Sequence, residues 1–171
     1  MPNYLQTSNN ESGIPDRFVE PVRNALTAAA AIGPAGLFGG LDAIAVGAVW
    51  TTLFIAIKDK SNSTLGSDPK RICGGIAAGV AQYYIGCKIA SWFCFLIPGV
   101  GPVIGVGVSS IVNVYFTYRF ACAMIDLMNN STSFSKDDKY IIERITQMIA
   151  KFPSTDEVKK IWNIYRTWVK K

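Results

Sequence analysis

The amino-acid sequence predicts an all-α protein built of membrane-associated helical hairpins followed by two amphipathic helices. Three observations support this fold class. Of 171 residues, 50% are apolar and 17% are charged, whereas an ordinary soluble domain has about 25% charged residues. Two long apolar segments are each broken by glycine and proline. Near the C-terminus, apolar residues recur at helical spacing, opposite basic residues.

The longest apolar segment extends from Ile89 to Tyr118 and contains no charged residue. As one straight helix it would be about 45 Å long, at ~1.5 Å per residue. Pro98 and Pro102 each remove a backbone donor and clash with the preceding turn. Gly99 and Gly101 permit the positive φ that a chain reversal needs. We therefore predict a helix, an apolar turn and a second helix, which together form a hairpin.

An earlier segment has the same layout and predicts a first hairpin. Its turn contains Gly33, Pro34 and Gly36, and the charge-free stretch from Ala43 to Ile57 follows. Asp42 opens that stretch. An acid at this position caps free N–H groups and meets the positive end of the helix dipole, but a role in ion or partner binding is the alternative.

Small and polar residues within the apolar segments are the candidates for helix packing. Gly75 and Gly79 form a GxxxG pair, the spacing that lets two helices approach closely. We expect Asn113 to face another helix because an amide is costly against lipid. Lys88 either ends a helix at the membrane interface or extends its side chain out of a helical bundle. The complete set of packing or intramembrane polar positions is Asp42, Gly75, Gly79, Lys88, Gly105, Ser109 and Asn113.

The chain divides into a flexible tail (1–13), a hydrophobic hairpin domain (14–128) and a basic amphipathic segment (129–171). Ser154 and Glu157 have the spacing of a capping box that starts the last helix. A basic helix with Trp and Tyr along its apolar edge is typical of a membrane interface, although the same stripe could pack on the core. The candidate interface residues are Arg119, Lys159, Lys160, Trp162, Arg166 and Trp168.

No arrangement of residues predicts an enzyme, a cofactor or a metal site. The sequence has no histidine, which removes the commonest general base and metal ligand. Gly99, Gly101 and Gly105 do not fit a dinucleotide fingerprint, because the spacing is wrong and Pro102 intrudes. The four cysteines form no CxxC pair and are expected to be small buried hydrophobes. The net charge of +5 suits anionic lipid better than nucleic acid, given the hydrophobicity around it.

The order of features over about residues 33–128 resembles a known family. An apolar break, Asp42 at a helix start, a polar loop and a glycine-rich helix lead to the turn 96–101 (Leu-Ile-Pro-Gly-Val-Gly), Asn113 and the segment 116–119 (Phe-Thr-Tyr-Arg). This order is similar to the YcjF-type GTPase-associated hydrophobic domain of unknown function. The resemblance implies a helical, membrane-associated module. It also implies a GTPase partner on a separate chain, because this sequence contains no GTPase domain.

The expected function is therefore that of a non-enzymatic, membrane-embedded protein for anchoring, self-association into a homo-oligomer, or partner docking. Charge lies mainly outside the two turns, which places the termini on the cytoplasmic side. The stretch from Ala43 to Ile57 is shorter than the roughly 20 residues that span a bilayer, so partial insertion is as consistent as crossing. Two alternatives stay open: a pore lined by Asp42, Lys88 and Asn113, and a soluble helical bundle that buries both hairpins.

Overall fold

The computed structural model describes residues 12–32, 41–61, 68–89, 106–129 and 137–170; the side chains at 41–44, 82–89, 106 and 108 are outside the description. The helices in these ranges are α1 (Asp16–Ile32), α2 (Leu41–Lys60), α3 (Pro69–Ile89), α4 (Val106–Asn129), α5 (Asp138–Ile149) and α6 (Thr155–Val169). No strand occurs in the described ranges. The all-α prediction is confirmed.

The predicted turn residues and one packing residue lie outside the described residues: Gly33, Pro34, Gly36, Pro98, Gly99, Gly101, Pro102 and Gly105. The two hairpins therefore stay predictions. The backbones of Asp42 and Lys88 lie in α2 and α3, but their side chains are outside the description.

Helix α4 is the centre of the bundle and contacts each of the other five helices described above. Around it, α1 packs on α2, α2 on α3 and α3 on α5, while α6 packs against α1. The aromatic side chains of Tyr115, Phe116 and Phe120 on α4 are at most 2% exposed. Because apolar burial is the main favourable term in folding, this surrounded helix carries much of the core.

Helix α1 begins at Asp16, so Pro21 lies inside the helix and not at its start. An internal proline costs a helix about 3 kcal/mol. Against this cost, the early start places Phe18 in the core with no exposed area, next to the buried Ile14. Full burial of each such side chain contributes roughly 1.5–3 kcal/mol, which offsets the proline.

The two C-terminal helices pack on the same core as the apolar helices. Each is amphipathic, and its buried residues are Ile141, Ile145 and Ile149 on α5, and Val158, Ile161 and Ile164 on α6. Asp137 caps α5 by accepting a bond from the Lys139 N–H at 3.0 Å. The predicted capping box of α6 is confirmed, because Ser154 and Glu157 each accept a bond from the other's backbone N–H.

The predicted GxxxG pair packs one helix closely against another, and the partner is α5 of the same chain. A Cβ atom added at Gly75 would lie 2.7 Å from Ile142 Cδ1, and one at Gly79 would lie 2.8 Å from Thr146 Cγ2. Both distances are far below van der Waals contact, so α3 and α5 meet through the glycine backbone. This side of α3 is thus covered within the chain.

We predict that Gly79→Leu destabilises the protein, because the new side chain must displace Thr146. Overpacking of this kind typically costs about 1–3 kcal/mol. Gly74→Ala is the matched control on the same helix, since a Cβ at Gly74 meets no atom within 4 Å, and it should stabilise by up to about 1 kcal/mol through helix propensity. Chemical denaturation followed by circular dichroism measures both effects. Changes of the same sign would contradict the assigned packing.

Candidate functional site

Polar side chains of α4 hold the C-terminal end of α1. The last four carbonyls of a helix have no partner within it. Asn113 Nδ2 donates to the Ala29 carbonyl at 3.0 Å, and Ser110 Oγ donates to the Ala30 carbonyl at 2.8 Å. Asn113 is fully buried and Ser109 is 3% exposed. Asn113 therefore faces another helix, as predicted, and it does not line a water-filled path in this structure.

Arg119 holds the end of α5 in the same way. Its Nη2 donates to the Met148 carbonyl in the last turn of α5 at 2.7 Å, and its Nη1 donates to Tyr115 Oη at 2.6 Å. A cation at a helix C-terminus also meets the negative end of the dipole. Arg119 is half-buried and its guanidinium bonds to α4 and α5, and its predicted place at a membrane interface stays a prediction.

Further polar groups of α4 bind α2 and the segment before α1. Trp50 Nε1 donates to Thr117 Oγ1 at 3.0 Å, and the Trp50 ring stacks on Phe120 with centroids 4.7 Å apart. Tyr118 Oη donates to the Ser12 carbonyl. These polar groups of α4 therefore stabilise the packing of the bundle.

The outer face of α2 and α3 is uncharged along much of its length. Between Val46 and Ile57, the exposed residues of α2 are Ala48, Thr52 and Ile55, and Ile55 is 44% exposed. Between residues 72 and 81, the exposed residues of α3 are Gly74 and Ala78. The five residues Ala48, Thr52, Ile55, Gly74 and Ala78 are called the apolar face below.

The hydroxyl group of Thr52 does not make the apolar face polar. Thr52 Oγ1 donates to the Ala48 carbonyl at 3.2 Å, and its neighbour Thr51 Oγ1 donates to the Gly47 carbonyl at 2.8 Å. A threonine that bonds back to its own helix has satisfied its hydroxyl donor locally. Both donors are thus paired without water.

A groove of about 360 Å³ lies between α2 and α3, beside the apolar face. Its lining includes Gly47, Thr51, Gly74, Ala77, Ala78 and Lys70. A Cβ at Gly74 would meet no atom within 4 Å, and one at Gly47 would lie 3.9 Å from Ala77 Cβ, an ordinary contact. Neither glycine has a positive φ. Helical glycine costs about 0.5–1 kcal/mol of stability relative to alanine. Packing within the described chain does not require glycine at either position, so the open groove lowers the stability of the fold.

Basic residues gather where α2 ends and α3 begins. They are Lys58, Lys60, Lys70 and Arg71, and the exposed acids Asp59 and Asp68 lie among them. Arg71 Nη1 lies 3.7 Å from Asp138 Oδ2. Asp68 caps the start of α3, because its Oδ1 accepts a bond from the Lys70 N–H at 3.0 Å, so the positive end of the helix dipole already has an acid beside it. The apolar face therefore has one basic end.

Helix α6 places the predicted interface residues on two different sides. Lys160 and Arg166 are exposed and Lys159 is half-buried, whereas Trp162 and Trp168 are half-buried and pack against the core. The aromatic stripe of α6 thus covers the bundle, which is one of the two interpretations that the sequence left open. Apart from Val169, which is 49% exposed, the exposed residues of this helix are polar or charged.

The described cysteines are not reactive groups. Cys73 on α3 is fully buried. Burial raises the pKa of its thiol to about 12, although a hydrogen bond with Thr51 lowers the pKa in part. The nucleophilic form of cysteine is the thiolate, which is almost absent from Cys73 at neutral pH. Within the ranges that the structure describes, no group of three or more His, Cys, Asp or Glu could hold a metal ion.

Comparison with protein-family models, with curated proteins and with solved structures found no match for the chain. In the described part of the chain, one segment, Ser109–Asn129, is long and apolar enough to cross a membrane, and 83% of its most apolar window is buried inside the bundle. The buried core helix of a soluble protein meets the same criterion. Neighbouring helices thus cover most of this apolar segment, and α2 and α3 carry the uncharged exposed surface.

Gly47, Gly74 and Lys70 are not among the candidate residues predicted from the sequence. The available signal was the cost of glycine inside a helix, about 1 kcal/mol relative to alanine. Gly74 is adjacent in sequence to Gly75, and spacing alone does not reveal which of the two a neighbouring helix covers.

We predict that Asn113→Ala lowers the free energy of unfolding by about 1–3 kcal/mol. The substitution removes a buried donor and leaves the Ala29 carbonyl unpaired. Thr52→Ala is the control, because Thr52 is exposed and donates only within its own turn. Its effect should stay within about 0.5 kcal/mol. Equal effects of the two variants in a denaturation experiment would show that Asn113 does not support the end of α1.

Proposed function

We propose that this protein is a membrane-associated helical module that contacts the bilayer through the apolar face of α2 and α3. Its work is anchoring or partner docking. The observation that carries the proposal is the uneven surface of the bundle. The apolar face is uncharged and includes the exposed Ile55, whereas α5 exposes Lys139, Glu143 and Arg144 beside Tyr140. Exposed charge is stable in water and costly in lipid. The charged side of the bundle should therefore face water, and the apolar face should contact lipid.

The basic end of the apolar face fits the headgroup region of an anionic bilayer. Each lysine or arginine near such a surface contributes about 1 kcal/mol of attraction. Lys58, Lys60 and Lys70 would lie at headgroup level when the apolar face enters the acyl region. The interaction combines a hydrophobic contact with an electrostatic one, as in other interfacial helices.

The depth of insertion follows from the length of the uncharged part of α2. The stretch from Ala43 to Ile57 falls short of the roughly 20 residues that cross the hydrocarbon core. Partial insertion from one side suits this length. In that arrangement α4 is the packed core of the module, and α1, α5 and α6 face the water, with both termini on the cytoplasmic side.

Two expected partners stay within the proposal. The resemblance to the GTPase-associated hydrophobic domain suggests that the module docks a separate GTPase, for which the water-facing helices are available. Self-association is a weaker expectation, since Ile142 and Thr146 of the same chain already cover Gly75 and Gly79. A soluble bundle is the second candidate, favoured by the burial of the segment Ser109–Asn129.

The proposal predicts that the double variant Ile55→Glu/Ala78→Glu loses vesicle binding. Both side chains are exposed, so the fold should persist, and two carboxylates on the lipid-facing side should lower partitioning at least about tenfold. Co-sedimentation with vesicles of phosphatidylcholine and phosphatidylglycerol measures the effect. Asn163→Glu/Thr167→Glu on exposed positions of α6 adds the same charge on the water side and should keep most of the binding.

Equal losses in the two double variants would show that net charge, and not the apolar face, governs binding. No binding of the wild-type protein to these vesicles would identify the soluble bundle instead. Circular dichroism spectra of both variants that match the wild-type spectrum are the required control.

A further inference from the structure

We infer that the groove between α2 and α3 binds one acyl chain of an anionic phospholipid whose headgroup pairs with Lys70. This inference rests on the proposed function and deepens it, because it assigns a single-lipid site within the membrane-facing surface. Three independent features of the groove support it: its lining, the glycines that keep it open and the charge at its end.

The lining of the groove suits a hydrocarbon chain. Gly47, Gly74, Ala77 and Ala78 present backbone carbon and methyl groups, and the Thr51 hydroxyl already donates to its own helix. A volume of about 360 Å³ falls within the range of roughly 300–1,000 Å³ typical of small-molecule sites. A groove with this mostly apolar lining favours an apolar occupant and offers polar groups few partners.

The glycines separate this groove from ordinary helix packing. Gly75 and Gly79 are explained by the atoms of α5 that would collide with a Cβ. Gly74 and Gly47 have no such neighbour in the described chain, and an alanine at either position would fit. Their smallness is explained by an occupant that lies between α2 and α3 and is not one of the described helices.

Lys70 supplies the polar end of the site and selects the kind of occupant. It is the charged residue of the lining, and its ammonium group makes no ion pair in the described part of the chain. Its neighbour Arg71 lies near Asp138. The Asp68 carboxylate already caps the start of α3, so the attraction for an anionic head comes from the Lys70 ammonium group. The combination matches an amphiphile with an apolar tail and an anionic head.

A helix from a second copy of the chain is a poorer occupant. It would cover Lys70 with an apolar surface and leave its ammonium without a partner, which is costly for a buried charge. An acyl chain is thinner than a helix and carries its phosphate to the end of the groove, so both parts of the site are satisfied.

Short-chain lipids below their micelle concentration test this site without a bilayer. Dihexanoyl phosphatidylglycerol and dihexanoyl phosphatidylcholine are titrated into the full chain and followed by calorimetry. We expect the wild-type protein to bind the anionic lipid more tightly. Gly74→Leu fills the groove and should weaken both lipids at least about tenfold, with an unchanged or higher melting temperature. Lys70→Gln should lower the affinity for the anionic lipid to that for the zwitterionic one.

Two exposed controls match these variants. Ala28→Leu enlarges a small residue on α1, and Lys139→Gln removes a lysine on α5. Neither should change lipid affinity. Unchanged affinities in Gly74→Leu and Lys70→Gln would overturn the inference. A change of molar mass in Gly74→Leu by light scattering, with lipid binding intact, would also overturn it and assign the groove to a second copy.

The two proposals fail separately. Binding of monomeric lipid that is sensitive to Gly74→Leu, together with no binding to vesicles, would support the groove and contradict membrane docking. Vesicle binding that Gly74→Leu leaves unchanged, together with unchanged affinity for the short-chain lipids, would support docking and overturn the groove.

Discussion

The architecture depends on α4 because this helix completes the ends of two of its neighbours. A helix leaves its final carbonyls unsatisfied, and inside a bundle these groups cannot all reach water. Asn113 and Ser110 supply donors to the end of α1, and Arg119 supplies one to the end of α5. An otherwise apolar helix can therefore carry an amide, a hydroxyl and a guanidinium group, since each has a carbonyl partner on another helix.

This arrangement changes how polar residues in an apolar segment are understood. In a membrane protein, such residues are functional candidates by default. Here Asn113 is buried and bonded to α1, and Thr117 accepts a bond from Trp50. The distinctive surface lies instead on α2 and α3, where small residues face outward and the described chain does not cover them. The proposed membrane contact thus lies on a side of the molecule with few polar side chains.

Much of the fold followed from periodicity, and much of the site did not. The sequence predicted the helical stripes that contain Ile141 and Ile161 and the capping box at Ser154. Helical spacing and capping depend on residues close together in the sequence, so they could be predicted locally. The partner of Gly75, the bond from Arg119 to Met148 and the open space at Gly74 depend on which helices meet. Tertiary neighbours decide these features, so local sequence did not reveal that Arg119 bonds to the end of α5.

Helix α3 lies between the groove on one side and α5 on the other, and at residues 74 and 75 it has no side chains. Gly74 borders the groove, and the next residue, Gly75, receives Ile142 of α5. Since neither position has a side chain, only the backbone of α3 lies between the groove and Ile142 at these two residues. Closely packed interiors transmit strain instead of absorbing it. A displacement of this backbone by an occupant on one side would therefore reach Ile142 of α5 directly.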